Sequence, residues 1–217
     1  MISLAVLDIA GTTIDEKNAV YGVLASVVAD HGTRVEEADI RRWMGADKRE
    51  ALAALTGDPD SVEDLHSTFV DRLHDVYATV RPAPLPGVPE ALAALRAAGV
   101  RVVLTTGFDR QVTDPLLAAV GWRVGDRLDA VVCASEVAAG RPTPHMIHRA
   151  MELTGVTDPA EVVVAGDTAL DIRAGHAARA GIVAGVLTGA QSRDELTAER
   201  PTHLLDGVHE LPAVLRL

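Results

Sequence analysis

The chain of 217 residues predicts an α/β fold, a doubly wound parallel sheet with helices on both faces, carrying an all-helical insert after the first strand. Three observations predict it. The apolar run Leu4-Ala5-Val6-Leu7 does not alternate with polar residues, as suits a strand buried on both faces, and it runs straight into Asp8. From Val88 onward, helical segments alternate with short apolar runs. Between these two regions, Lys17 to about Val80 has helical periodicity and no convincing strand.

After the opening strand and the turn Ala10-Gly11-Thr12-Thr13, apolar residues at Val20, Val23, Leu24, Val27 and Val28 recur at three and four and stop at Gly32. Val35 to Met44 and Arg49 to Leu55 predict short helices, and Val62 to Val80 a longer one. The segment Arg81-Pro82-Ala83-Pro84-Leu85-Pro86-Gly87 breaks that pattern and predicts a linker. Helices are then expected at Val88 to Ala98, Gln111 to Val120, Pro144 to Thr154 and about Ala169 to Ala180. Strands are expected at Val100 to Leu104, Ala130 to Cys133, Val162 to Ala165 and Ile182 to Leu187. The expected division is a core of residues 1–15 and 85–217 with a cap of residues 16–84. Because ligands in such sheets bind at the carboxyl ends of the strands, the insert should lie over the site as a lid.

The 31 acidic residues against 20 basic ones leave a net charge of −11, which argues against nucleic acid or an anionic membrane as a partner. An anionic substrate would need local cations to overcome that field. No apolar run approaches membrane-spanning length and no basic segment precedes a cleavage signal, so a soluble, cytoplasmic protein is expected. The lone Cys133 lies in an apolar run and is expected to pack in a strand. Lys17 and Lys48 are the two lysines among the 20 basic residues, the others being arginine. An amine can lose its proton and attack a carbonyl, whereas a guanidinium stays charged.

Four stretches carry chemistry. They are Asp8-Ile9-Ala10-Gly11-Thr12-Thr13; Thr105-Thr106-Gly107, a hydroxyl and a glycine turn whose amides can approach an oxyanion; Gly140-Arg141-Pro142 at a helix start; and Gly166-Asp167-Thr168 followed by Asp171. In this order they resemble the haloacid dehalogenase superfamily of magnesium-dependent phosphotransferases over essentially the whole chain. The resemblance implies Asp8 as nucleophile, Asp8 and Asp167 as Mg2+ ligands, Thr105 and Arg141 as holders of the phosphoryl oxygens, and Asp171 as a support for Arg141 or the cation. Thr12, Thr106, Gly107 and Thr168 fall in the same motifs, the first three as expected substrate contacts and Thr168 as a support.

Most members of that superfamily carry a second acid two residues after the nucleophile, and this chain has Ala10 there. Loss of such an acid typically costs ester hydrolysis about a hundredfold or more. The motifs narrow the resemblance to the phosphonatase branch, which shares Asp-x-Ala-Gly-Thr-Thr, Thr-Thr-Gly and Gly-Arg-Pro. That branch also carries Met-Gly-x-x-Lys in the cap, and here Met44-Gly45-Ala46-Asp47-Lys48 matches it. The resemblance implies a magnesium ligand in the Ala10 carbonyl, a substrate contact in Met44, a support in Gly45 and a Schiff-base lysine in Lys48.

Lysine and alanine belong together chemically, because a protonated imine accepts the electrons of a breaking carbon–phosphorus bond and no leaving oxygen needs a proton. Asp47 is placed to cap a helix with Glu50 in a capping box, which would set Lys48 in the first turn where the helix dipole disfavours an ammonium. Arg42 and Arg49 would push the same way. Lys17, near the hinge, is the rival amine.

Where the characterised enzymes carry a cap histidine, a cysteine and a tyrosine, this chain has Ala51, Asn18 and Phe108. The expected substrate is therefore phosphonoacetaldehyde or a relative such as one hydroxylated beside phosphorus. Two alternatives are a phosphate monoester phosphatase and a silent phosphate- or phosphonate-binding protein. His145 and His148 are expected on an outer helix surface, and Asp58, Asp60, Glu63 and Asp64 at a solvated helix start. Trp43 suits either packing within the cap or a homodimer contact through it, and the sequence leaves both open.

Overall fold

The computed structural model describes residues 1–217. A six-stranded sheet runs through it, built from β1 (Leu4–Asp8), β4 (Arg101–Thr106), β5 (Ala130–Cys133), β6 (Val162–Gly166), β7 (Ile182–Val186) and β8 (His203–Leu205). All its ladders are parallel, in the order β5-β4-β1-β6-β7-β8. The chain builds outward from β1 on one side and then crosses to the other, so β1 stands at the switch point where such sheets bind ligands. Side-chain alternation splits β1 between two cores. Leu4 and Val6 join the cluster under α7 (His145–Thr154), while Ala5 and Leu7 join the larger cluster on the opposite face.

Residues 19–80 contain helices only: α1 (Ala19–Asp30), α2 (Glu37–Arg42), α3 (Lys48–Thr56) and α4 (Val62–Val80), with a short 3₁₀ turn before α4. The face predicted for α1 is the buried one, from Val20 to Val28. Its residues share one apolar cluster with Ile40, Leu52 and Phe69 of the other three helices. The remaining helices are α5 (Val88–Ala97), α6 (Arg110–Ala119), α8 (Ala169–Ala177), α9 (Arg193–Ala198) and α10 (Leu211–Val214). No helix is long and apolar enough to cross a membrane.

The predicted linker differs in one respect. Ala83–Pro84 forms a short strand, β3, antiparallel to β2 (Ile14–Asp15), with Ile14 opposite Pro84 and Asp15 opposite Ala83. A two-residue ladder leaves no periodicity to read, which is why the sequence shows only its prolines. The strand β8, the helices α9 and α10, and the two-residue ladder were all beyond the sequence pattern. The pair β2–β3 ties together the two chain segments that lead into and out of the helices. Beside it, Lys17, Asn18 and Arg81 adopt positive φ of 58°, 58° and 51°.

The helices approach the carboxyl edge of the sheet closely. A Cβ on Gly107 would lie 2.3 Å from the Ala46 carbonyl oxygen, and one on Gly45 (φ +81°) 2.6 Å from Thr168 Oγ1. Ion pairs bridge the same boundary, with Arg41 on both carboxylate oxygens of Glu195 (2.8 and 2.7 Å) and Arg49 on Asp109 (3.3 Å). Gly107→Ala should therefore hold the helices off the sheet edge. Trypsin should then cut faster at Lys17 than in the parent, with the thermal midpoint shifted by only a few degrees; unchanged proteolysis would contradict this packing.

Candidate active site

Parallel register gathers the motif residues. Thr105 lies opposite Asp8 across β1 and β4, and Leu7 lies opposite Ala165, two residues before Asp167. Strand order thus converts motifs separated by a hundred residues into neighbours at one edge. Over that edge, α3 begins at Lys48, with Asp47 as its N-cap accepting from the amides of Arg49 and Glu50 (2.8 and 3.1 Å). Glu50 does not complete the expected box.

The resulting cavity is lined by Asp8, Ala10, Tyr21, Gly45, Lys48, Thr106, Gly107, Phe108, Arg141, Asp167 and Thr168, with Val20 beside them. At about 10 Å³ it has room for one water at most, so this is a closed arrangement. Arg141, 5% exposed, is the hub. Its Nη1 is 2.7 Å from Asp8 Oδ1 and its Nε 2.9 Å from Asp171 Oδ1. Its Nη2 donates to Thr105 Oγ1 at 2.8 Å and its Nη1 to the Gly45 carbonyl at 3.3 Å. Asp171 is otherwise engaged by Thr168, whose Oγ1 donates to Asp171 Oδ2 at 2.5 Å while capping α8. Asp171 thus supports Arg141, as expected.

Three expectations shift. Thr12, fully buried, does not line the cavity; its hydroxyl donates to Asp167 Oδ1 at 3.1 Å and so orients that carboxylate. Thr105 likewise stands behind the cavity wall, accepting from Arg141. Met44 faces an outer groove between α1 and α2 instead of the central cavity, because Gly45 turns the chain immediately after it. Lys17 is exposed and paired with Asp15, which removes it as a rival to Lys48. His145 and His148 are exposed, and Cys133 is buried in β5, as predicted. Trp43 is partly buried against the shared apolar cluster.

Sequence reasoning missed Tyr21 and Glu16. Glu16 is buried and its carboxylate accepts from the Val20 amide at 3.0 Å at the start of α1. Tyr21 is one of two tyrosines in the chain, and its position beside the apolar face of α1 was the available signal.

Burial dominates the electrostatics. It pushes the Lys48 ammonium down to about 8, with Arg141 acting in the same direction against Asp47, Asp8 and Glu16. Arg42 and Arg49 are not among the leading influences, contrary to expectation. The Lys48 amine donates to the Ala46 carbonyl at 2.7 Å and lies 5.5 Å from the Phe108 ring centre. Burial also raises Asp8 well above the carboxylate range, with Arg141 opposing and Asp171 and Asp167 adding to it. Asp167 rises to about 7 through burial and Asp171, against the Ala190 amide and Thr12 hydroxyl.

Asp8, Asp167 and Asp171 thus face one buried guanidinium, a deficit that a divalent cation would offset. No group of three His, Cys, Asp or Glu side chains is placed to hold an ion. The resemblance seen in the sequence implies Asp8, Asp167 and the Ala10 carbonyl as ligands, and all three residues line the cavity. That oxygen set fits Mg2+, which keeps several waters and takes substrate oxygens. Carboxyls raised in the folded state cost stability as pH rises through their pKa, and a bound cation removes that cost. Added Mg2+ should therefore raise the thermal midpoint more at pH 8 than at pH 6; equal shifts at both would contradict these ligands.

Comparison with known proteins agrees with this geometry. The family model of haloacid dehalogenase-like hydrolases matches residues 2–179. A phosphonoacetaldehyde hydrolase-like protein of Syntrophobacter fumaroxidans is 34% identical over 92% of this chain and 78% of its own length. A phosphonoacetaldehyde hydrolase of Bacteroides fragilis is 30% identical over 94% of this chain and 82% of its own. The crystal structure of a phosphonoacetaldehyde hydrolase-like protein from Oleispira antarctica superposes with a TM-score of 0.83, at 23% identity, over 99% of this chain and 91% of that one. With its motifs gathered at one sheet edge and its length matched by these relatives, the chain belongs to the haloacid dehalogenase-like hydrolases, in their phosphonatase-like branch.

Proposed function

We propose that the protein hydrolyses a 2-oxoalkyl phosphonate, phosphonoacetaldehyde or a close relative, to an aldehyde and phosphate, with residues 16–84 acting as a cap over the site. The observation that carries this reading is the placement of Lys48: buried, shifted to about 8, and lining the same cavity as Asp8. Ester hydrolysis does not call for a neutral amine there. Relatives named phosphonoacetaldehyde hydrolase support the same substrate class.

With a pKa of about 8, about one Lys48 in ten is neutral at pH 7, against fewer than one in a thousand for an ordinary lysine. The neutral amine adds to the substrate carbonyl and, with loss of water, forms a protonated imine. Asp8 then attacks phosphorus. The electron pair of the carbon–phosphorus bond moves toward the iminium nitrogen, giving an enamine on Lys48 and an acyl-phosphate on Asp8. Protonation of the enamine carbon regenerates the imine. Water hydrolyses both adducts, for a net consumption of one water. Arg141 holds the phosphonate oxygens, and the amides of the Thr106-Gly107 turn add donors. Mg2+ on Asp8, Asp167 and the Ala10 carbonyl would offset the charge of carboxylate and phosphonate. Ala10 leaves no second acid, and none is needed when carbon is the leaving atom.

Borohydride added with phosphonoacetaldehyde should alkylate one lysine, and peptide mapping should place it at Lys48. Trapping should rise about tenfold per pH unit up to about pH 8 and then level off. Lys48→Arg keeps the charge and should lose activity by about a hundredfold or more. Asp8→Asn should lose turnover while still forming the adduct. Phosphate release from simple esters without any adduct would indicate a phosphatase. Stabilisation by phosphate and Mg2+ with neither reaction would indicate a binding protein.

A further inference from the structure

The reaction above leaves one proton unassigned, the one delivered to the enamine carbon after the carbon–phosphorus bond breaks. At that moment Asp8 carries the phosphoryl group and Lys48 the substrate carbons. Arg141 stays protonated, Asp167 would hold the cation, and Ala51, buried in α3, bears no transferable proton. Of the threonine hydroxyls of the cavity, Thr168 donates to Asp171, and Thr106, which accepts from the Phe108 amide, is an aliphatic alcohol and a far weaker acid than a phenol. Glu16 does not line the cavity and is tied to the start of α1.

The phenol of Tyr21 remains. It lines the cavity together with Lys48 and Asp8. Burial and the carboxylates Asp167, Asp8, Glu16 and Asp171 are the leading influences on its hydroxyl, with no hydrogen bond among them. Tyr21 also forms part of a second hollow of about 400 Å³, an open groove between α1 and α2 bounded by Gly22, Ile40 and Met44. The ring therefore stands in the wall between a closed cavity and an outer groove open to water.

Resting on the carbon–phosphorus reading, we propose that Tyr21 is a catalytic residue: its hydroxyl protonates the enamine carbon and regains a proton from water in the outer groove while the cap stays closed. The O–H bond breaks and a C–H bond forms as the enamine π electrons take the proton. The iminium is restored, and the phenolate is quenched from the solvent side. A phenol is protonated at neutral pH, and the negative surroundings of this one favour that form until the carbon base is made.

Tyr21→Phe removes the hydroxyl and keeps the ring. With phosphonoacetaldehyde and Mg2+ in a rapid-quench experiment, its first-turnover phosphate release should stay within about twofold of the parent, because bond cleavage precedes protonation. Its steady-state aldehyde production should fall by about a hundredfold, the usual scale of a lost general acid. Steady-state turnover within about threefold of the parent would overturn the proposal. So would a proportional fall of both phases, which would mark a structural role. If the parent itself gives neither phosphate nor a Lys48 adduct, the carbon–phosphorus reading fails first, and this assignment falls with it.

Discussion

The site depends on one buried guanidinium. Arg141 reaches Asp8 from β1, Asp171 from α8, Thr105 from β4 and the Gly45 carbonyl of the helical block. Removing a charge from water costs several kcal/mol per ion, and this cation recovers it through charge-assisted bonds to groups held by separate elements. Each bond fixes one of those elements against the others. The same contacts leave a surplus of carboxylates, so the cluster is incomplete as an electrostatic unit until a divalent cation and an anionic ligand are counted.

Lys48 is governed by the opposite condition. It has carboxylates nearby but no salt-bridge partner, and burial outweighs their pull. The closed packing of Gly45 and Gly107 produces that burial, since any side chain at either position would collide with the facing element. The same packing that leaves the cavity almost no room for water makes the ammonium costly and shifts the amine toward its neutral form. The outer ion pairs of Arg41 with Glu195 and Arg49 with Asp109 are more exposed and hold the block in register at modest energy.

Most of the reactive constellation was legible in the chain. Asp8 follows an unbroken apolar run, the other motifs end apolar runs or open helices, and parallel strands bring such ends together. Lys48 was legible as a helix-start lysine in a chain that otherwise uses arginine. The β2–β3 pair was not, because two residues carry no period. Thr12, Thr105 and Met44 lie in the right motifs, yet each turns to a support or outer-wall position that motif membership does not specify.

Local pattern was enough for the order of the longer strands and helices as far as β7, the buried face of α1 and the identity of the carboxylates, since these follow from hydrophobic period and turn chemistry. Tertiary packing alone settled which side chains enter the cavity, how far burial moves the Lys48 amine, and that Tyr21 stands between cavity and groove. Those properties arise from what α1 and α3 meet when they lie on the sheet edge. Desolvation and side-chain direction belong to that meeting of surfaces, and neither is written in the spacing of residues along one helix.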